Sequence, residues 1–230
     1  MIGNIKERKG AIYFIVKNKY NNRFCYKDIP WNTMNDNEQL NDSMLKIRTT
    51  GRDDSNADQY NYPYEPTPYC VLERLVNSGY ITKKNSLIDY GCGKGRVDFY
   101  ISYQTRCKSL GIEYDERIYN SAIDNKKTSV CRRADFYHGT AQDYKVNDNQ
   151  DRFYFFNPFS EEILDSVLGR ITESYFENPR EMYLFFYYPS DEYIGTLMTN
   201  EHMEFVDEIS CADLFEGNNM RERIMIFTVV

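Results

Sequence analysis

Leu87–Tyr100 reads LIDYGCGKGRVDFY, with three glycines in five positions between an apolar run and a mostly apolar segment. Each glycine costs conformational entropy on folding, so three this close mark a backbone that must be bare. The need is a turn with positive φ, or close approach to a bound molecule. SLIDY (86–90) reads as a strand, and 96–105 as a helix with positions 97, 100, 101 and 104 on one side. A strand passing through such a turn into a helix presents free N–H groups and partial positive charge at the helix start. In an open α/β sheet, ligands bind outside the carboxyl ends of the strands, where this turn lies.

The rest of the chain repeats the alternation. Positions 109–114, 131–138, 152–156 and 182–188 read as strands, and 116–126 and 160–176 as helices. RFYFF (152–156) and MYLFFYY (182–188) show no polar alternation, which fits strands covered on both faces. Two last strand-like runs, near 203–209 and 223–230, have no helical pattern between them, so an antiparallel hairpin is expected to close the sheet. Upstream, Thr67-Pro68, apolar 71, 72, 75 and 76, and Gly79 predict a helix over 68–78, with Thr67 as its N-cap. Residues 49–66 are polar and tyrosine-studded and read as a long, lid-like loop. In KGAIYFIVKNKY the apolar positions 12, 13, 15, 16 and 20 fit a helix slightly better than a strand. The expected architecture is therefore α/β, doubly wound and mostly parallel, with helices on both faces. An N-terminal helical and loop extension over 1–60 would precede a domain over 61–230.

Composition narrows the function. The net charge of -7 lacks the overall pull toward nucleic acid of a basic domain, though a local basic patch is compatible with it. None of the six cysteines forms a CxxC pair, and the start carries no secretory pattern, so reduced thiols in the cytoplasm are expected. No apolar run is long enough for a membrane span. Two histidines without a cysteine or histidine cluster predict no metal site. P-loop and GxSxG motifs are absent.

The dinucleotide fingerprint GxGxxG/A fails here, because the third glycine, Gly95, comes one place early and Arg96 holds the sixth position. The run Asp89-x-Gly91-Cys92-Gly93-x-Gly95 instead resembles motif I of the class I, seven-β-strand, S-adenosylmethionine-dependent methyltransferases. The resemblance covers about 64–230. It implies a seven-stranded sheet, S-adenosylmethionine as cofactor, and a methyl acceptor as partner. Glu113, followed by Tyr114, ends the next strand, where the family places a carboxylate that accepts from the ribose hydroxyls. The loop His138-Gly139-Thr140-Ala141-Gln142-Asp143 would frame the adenine. Many members carry Asp where this chain has Thr140, so the adenine acceptor stands open among Thr140, Gln142 and Asp143, with the Ala141 N–H facing a ring nitrogen. Asn157-Pro158-Phe159 is one proline shorter than the Asn/Asp-Pro-Pro-Tyr/Phe of amino-methylating members. There the oxygens orient the amine and the aromatic ring stacks on it, which implies transfer to nitrogen. Tyr64-Glu65-Pro66-Thr67-Pro68 is similar to the Tyr-x-Pro-Thr/Ser stretch with which some members, lysine methyltransferases among them, cover the cofactor.

The leading expectation is an enzyme that methylates a nitrogen in protein, nucleic acid or a small molecule, with nucleic acid disfavoured by charge. The alternatives are a small-molecule O-methyltransferase and a non-catalytic module that binds S-adenosylmethionine. A nicotinamide or flavin oxidoreductase fits the glycine spacing least.

Overall fold

The computed structural model describes residues 5–8, 11–18, 21–24, 34–53, 64–217 and 219–230, with side chains from residue 37 onward. Two compact units divide the chain, Met1–Met34 and Asn35–Val230. The first holds three antiparallel strands, β1 (Ile5–Arg8), β2 (Ala11–Asn18) and β3 (Asn21–Phe24), with Ile5 opposite Phe14 and Ile15 opposite Phe24. The helix expected around 12–20 is therefore a strand. The run AIYFIV is dense in β-branched and aromatic residues, and that preference outweighs a marginal helical period.

The second unit begins one helix earlier than the expected domain start at 61. Helix α1 (Met34–Leu45) leads into Leu45 and Ile47, both part of its core. The centre of the expected lid-like loop, 54–63, lies outside the described residues. The elements that follow are α2 (Tyr69–Ser78), β4 (Ser86–Tyr90), α3 (Arg96–Thr105), β5 (Lys108–Glu113), α4 (Glu116–Thr128) and β6 (Ala134–His138). After them come β7 (Arg152–Phe155), α5 (Glu161–Glu177), β8 (Tyr183–Tyr187), α6 (Asp191–Thr199), β9 (Met203–Ser210) and β10 (Arg223–Val229).

Seven strands form one sheet in the order β6-β5-β4-β7-β8-β10-β9. The first five are mutually parallel, and β10 runs antiparallel between β8 and β9. Alternate residues feed two cores. Leu87 and Tyr154 join α2 and α3 on one face, while Ile88, Phe153 and Phe155 join α5 and α6 on the other. That two-sided burial explains the uninterrupted apolar strands.

Local signals set several of the helix ends. Asp115 caps α4 by accepting from the N–H groups of Arg117 and Ile118, and Gly79 closes α2 at φ 87°. Thr67 does not cap α2. Its hydroxyl lies 3.0 Å from the Tyr154 hydroxyl, and the Tyr69 N–H at the helix start donates instead to Glu38 Oε1 of α1 (3.0 Å). A remote carboxylate thus replaces the local cap.

Candidate functional site

A cleft opens at the carboxyl ends of β4, β5 and β7. Beneath it the glycine turn leaves β4 with Gly91, Gly93 and Gly95 at φ 73°, 56° and 85°. The Gly91 and Cys92 N–H groups both donate to Ile112 O of β5 (3.0 Å each). At Gly91 a Cβ would run into Pro158, and at Gly93 into the ring of Tyr64, so bare backbone is required on both counts. Gly91 and Cys92 line the cleft, whereas Gly93 and Gly95 shape the turn behind it.

Glu113 is nearly sealed from solvent at the end of β5. Its Oε2 accepts from the Gly93 N–H and its Oε1 from the Asp115 N–H, both at 2.9 Å. Burial raises its pKa, and those two N–H bonds oppose the rise. One carboxylate thereby ties the glycine turn to the head of α4 while still lining the cleft. Tyr114 lines it too and is exposed.

Asp89 also reaches the cleft, and its Oδ2 is buried without a hydrogen-bond partner. The neighbouring Asp98 of α3 is fully buried. Burial pushes both carboxyls well above the ordinary carboxylate range, and for Asp89 the charge of Asp98 adds to it. The Cys92 thiol beside them is raised for the same reason and stays protonated.

The third wall comes from 157–159. Asn157 and Tyr188, at the tips of β7 and β8, both hold positive φ (39° and 50°). Asn157 Nδ2 donates to Tyr188 O (2.7 Å), and Oδ1 accepts from the Ser190 N–H (3.2 Å). Asn157 thus staples two strand tips together. Pro158 lines the cleft. The Phe159 ring sits in the core near Tyr90 and Phe155, and its carbonyl accepts from the Tyr193 hydroxyl (2.6 Å). The half-buried aromatic ring at this wall is Phe156, which packs 4.7 Å from the Tyr187 ring. Thr140 and Ala141 complete the lining, with the Thr140 hydroxyl donating to the Asp143 carboxylate.

No protein-family model matches the chain. A TehB-like SAM-dependent methyltransferase from Corynebacterium glutamicum superposes with a TM-score of 0.53 at 15% identity, over 86% of this chain and 99% of that one. An RNA methyltransferase from Salinibacter ruber, solved with S-adenosyl-L-homocysteine, superposes with a TM-score of 0.53 at 16% identity, over 72% of this chain and 94% of that one. The chain has the seven-strand methyltransferase fold. In sequence, it resembles a curated protein-lysine N-methyltransferase of Saccharolobus islandicus (strain REY15A), 29% identical over 93 residues. That match spans 37% of this chain and 55% of the relative, so the chain spans about half of the relative's length.

Within this methyltransferase fold, Arg96 is the cleft residue that motif reading passed over. It begins α3 and is 3% exposed. Its guanidinium is ion-paired with Glu38, donates to Thr49 Oγ1 (2.7 Å) and Thr67 O (3.1 Å), and lies 4.5 Å from the Tyr69 ring centre. Asp42 joins the group by accepting from the hydroxyls of Thr49 and Tyr69 (2.6 Å each). Tyr64 closes the set, with its hydroxyl donating to Thr49 O and Lys94 Nζ 4.7 Å from its ring centre. The only signal in the sequence was the residue after the third glycine. Among the described residues no group of acidic, cysteine or histidine side chains suits a metal ion, and no helix is long and apolar enough to cross a membrane.

Proposed function

We propose that the chain is an S-adenosylmethionine-dependent methyltransferase acting on a nitrogen, with a protein lysine as the favoured acceptor. One observation carries the cofactor assignment: two buried carboxyl groups, Asp89 and Glu113, face one cleft from neighbouring strand ends, beside a turn whose Gly91 leaves the backbone bare. Glu113 has oxygen lone pairs beyond its two N–H bonds, as a ribose diol requires. Asp89, unpartnered at Oδ2, would ionise on meeting the cofactor's ammonium, whose charge opposes the burial that raises its pKa. Gly91 and Cys92 leave room for the amino-acid end, with Tyr64 and Thr67 above it and Tyr114, Thr140 and Ala141 at the nucleoside end.

The cofactor supplies a methyl group on a sulfonium. The chain's part is to hold the acceptor in line and to exclude water. The residues are Asn157, whose staple fixes the wall, with Pro158, Phe159 behind it in the core, and the ring face of Phe156. The identity of the Saccharolobus relative supports a lysine acceptor.

Asn157 favours a second reading. Its amide is engaged at both ends, as in a module that binds cofactor without turnover. Tritium-methyl transfer into a cell extract, fractionated into protein, RNA and small molecules, tests both. Label in protein lysines supports the proposal, label in RNA or small molecules moves the acceptor, and tight S-adenosylhomocysteine binding without label leaves the binding module.

A further inference from the structure

At the end of the sheet away from the cleft, charge is distributed in a way that a net of -7 conceals. The loop entering β4 carries Lys83 and Lys84, Arg106 lies in the loop entering β5, and Lys108 is the first residue of that strand. The passage from α4 to β6 carries Lys126, Lys127, Arg132 and Arg133. Segments 82–85, 103–108 and 126–133 thus hold eight of the chain's 28 basic residues and none of its 35 acidic ones.

These cations are neighbours in space. Lys108 N–H donates to Asn85 O (3.3 Å) and Ser109 N–H to Arg133 O (3.1 Å), so the three strand entries lie side by side. Arg132 Nη1 reaches Lys126 O (3.3 Å), which draws in the end of α4. With strands about 4.8 Å apart, the strand entries alone span about 10 Å. The cleft lies at the other end of the same strands, about 17 Å away along β5.

Helix-end electrostatics account for only part of the set. Lys126 and Lys127 sit in the last turn of α4, where the dipole favours cations, and they pair with Asp135 and Asp124. Lys83, Lys84, Lys108, Arg132 and Arg133 are exposed, and none of the ion pairs among the described residues includes them. Tyr103 lies exposed in the same patch with the Arg106 guanidinium 6.0 Å from its ring centre, and Val130 is exposed nearby.

We infer that this face binds the phosphate backbone of single-stranded nucleic acid, with Tyr103 as a stacking platform. Unpaired cations at strand spacing suit successive phosphates, and an exposed aromatic ring beside a guanidinium suits a base. Of the acids that border the patch, Asp124 and Asp135 are paired with Lys127 and Lys126, and Asp151 with Arg152; salt screens the more distant ones beyond about 8 Å at physiological ionic strength. The inference stands apart from the acceptor proposed for the cleft and holds whether or not a lysine is methylated there.

The test is fluorescence anisotropy of a labelled single-stranded RNA oligonucleotide with the full chain, at stepped KCl, with polyglutamate as competitor. Binding should weaken linearly in log–log form with salt. The variant Lys83→Glu/Lys84→Glu/Arg132→Glu/Arg133→Glu should bind at least tenfold more weakly, with its melting temperature and S-adenosylhomocysteine affinity unchanged. Replacing the same four residues by Gln, a milder change to the fold, should weaken binding in the same direction and lower the salt slope by about 3. Tyr103→Ala should weaken RNA binding about fivefold or more and leave polyglutamate binding alone. Absence of RNA binding at low salt would overturn the inference. So would polyglutamate competing as tightly as RNA with no effect of Tyr103→Ala, which would assign the face to an acidic protein.

Discussion

Two carboxyl groups beside the cleft do different work because their neighbours differ. Glu113 is held by two N–H donors. Glu113→Ala is expected to weaken S-adenosylhomocysteine binding at least tenfold, about 1.4 kcal/mol. Isothermal titration reads this directly, and unchanged affinity would remove Glu113 from the ribose site. Asp98 has neither oxygen hydrogen-bonded and lies beside Asp89. Its folded-state pKa lies above the unfolded value, so the protonated form favours the native state. That contribution is complete below the unfolded pKa of about 3.9 and is lost as pH rises through the folded value. Melting temperature should therefore carry a falling contribution from about pH 4 to about pH 8, and Asp98→Asn should flatten that fall. An equal fall in both proteins would refute the account. At this scale the positive-φ turn over Gly91–Gly95 and the strand end at Glu113 were legible, because both lie within one strand-helix-strand unit. The tie that Arg96 makes to α1 and the staple that Asn157 makes to Tyr188 were not. The partners Glu38 and Tyr188 lie 58 and 31 residues away, and no local pattern encodes such a meeting.

Elements were legible wherever period and caps agreed. The helix expected over 96–105 is α3, Arg96–Thr105, and SLIDY is β4. Helix α6 went unread because its nine residues include Gly195 and bury only Tyr193, Thr196 and Leu197. Ser190, which accepts from the Tyr193 N–H, was the available clue. Strand β2 was misread because AIYFIV is an unbroken apolar run that no period types, so its β-branched and aromatic content decides. The more consequential element is α1. Arg96 pairs with Glu38, and Glu38 in turn caps α2, so α1 is bound to the glycine turn and the next helix through one guanidinium. Burial raises the pKa of Glu38, and the Arg96 charge opposes the rise. Arg96→Ala would leave Glu38 and Asp42 without their cation. The expected loss is about 3–5 kcal/mol of stability. It should appear in chemical denaturation, with faster hydrogen exchange across residues 35–45. A loss below about 1 kcal/mol would show that the pair is not a structural tie.

For the whole molecule, strand-helix alternation and two-sided apolar strands made the doubly wound sheet legible, while the separate three-stranded unit at the N-terminus was not. Sheet order also governs assembly. Strand β9 is synthesised before β10 but lies outside it, so β9 has no place in the sheet until β10 has paired with β8. Until β10 pairs, the backbone N–H and C=O groups of an eight-residue strand therefore have no partner strand. A folding intermediate with β8 in the sheet and β10 still unpaired is the species a chaperone would need to shield.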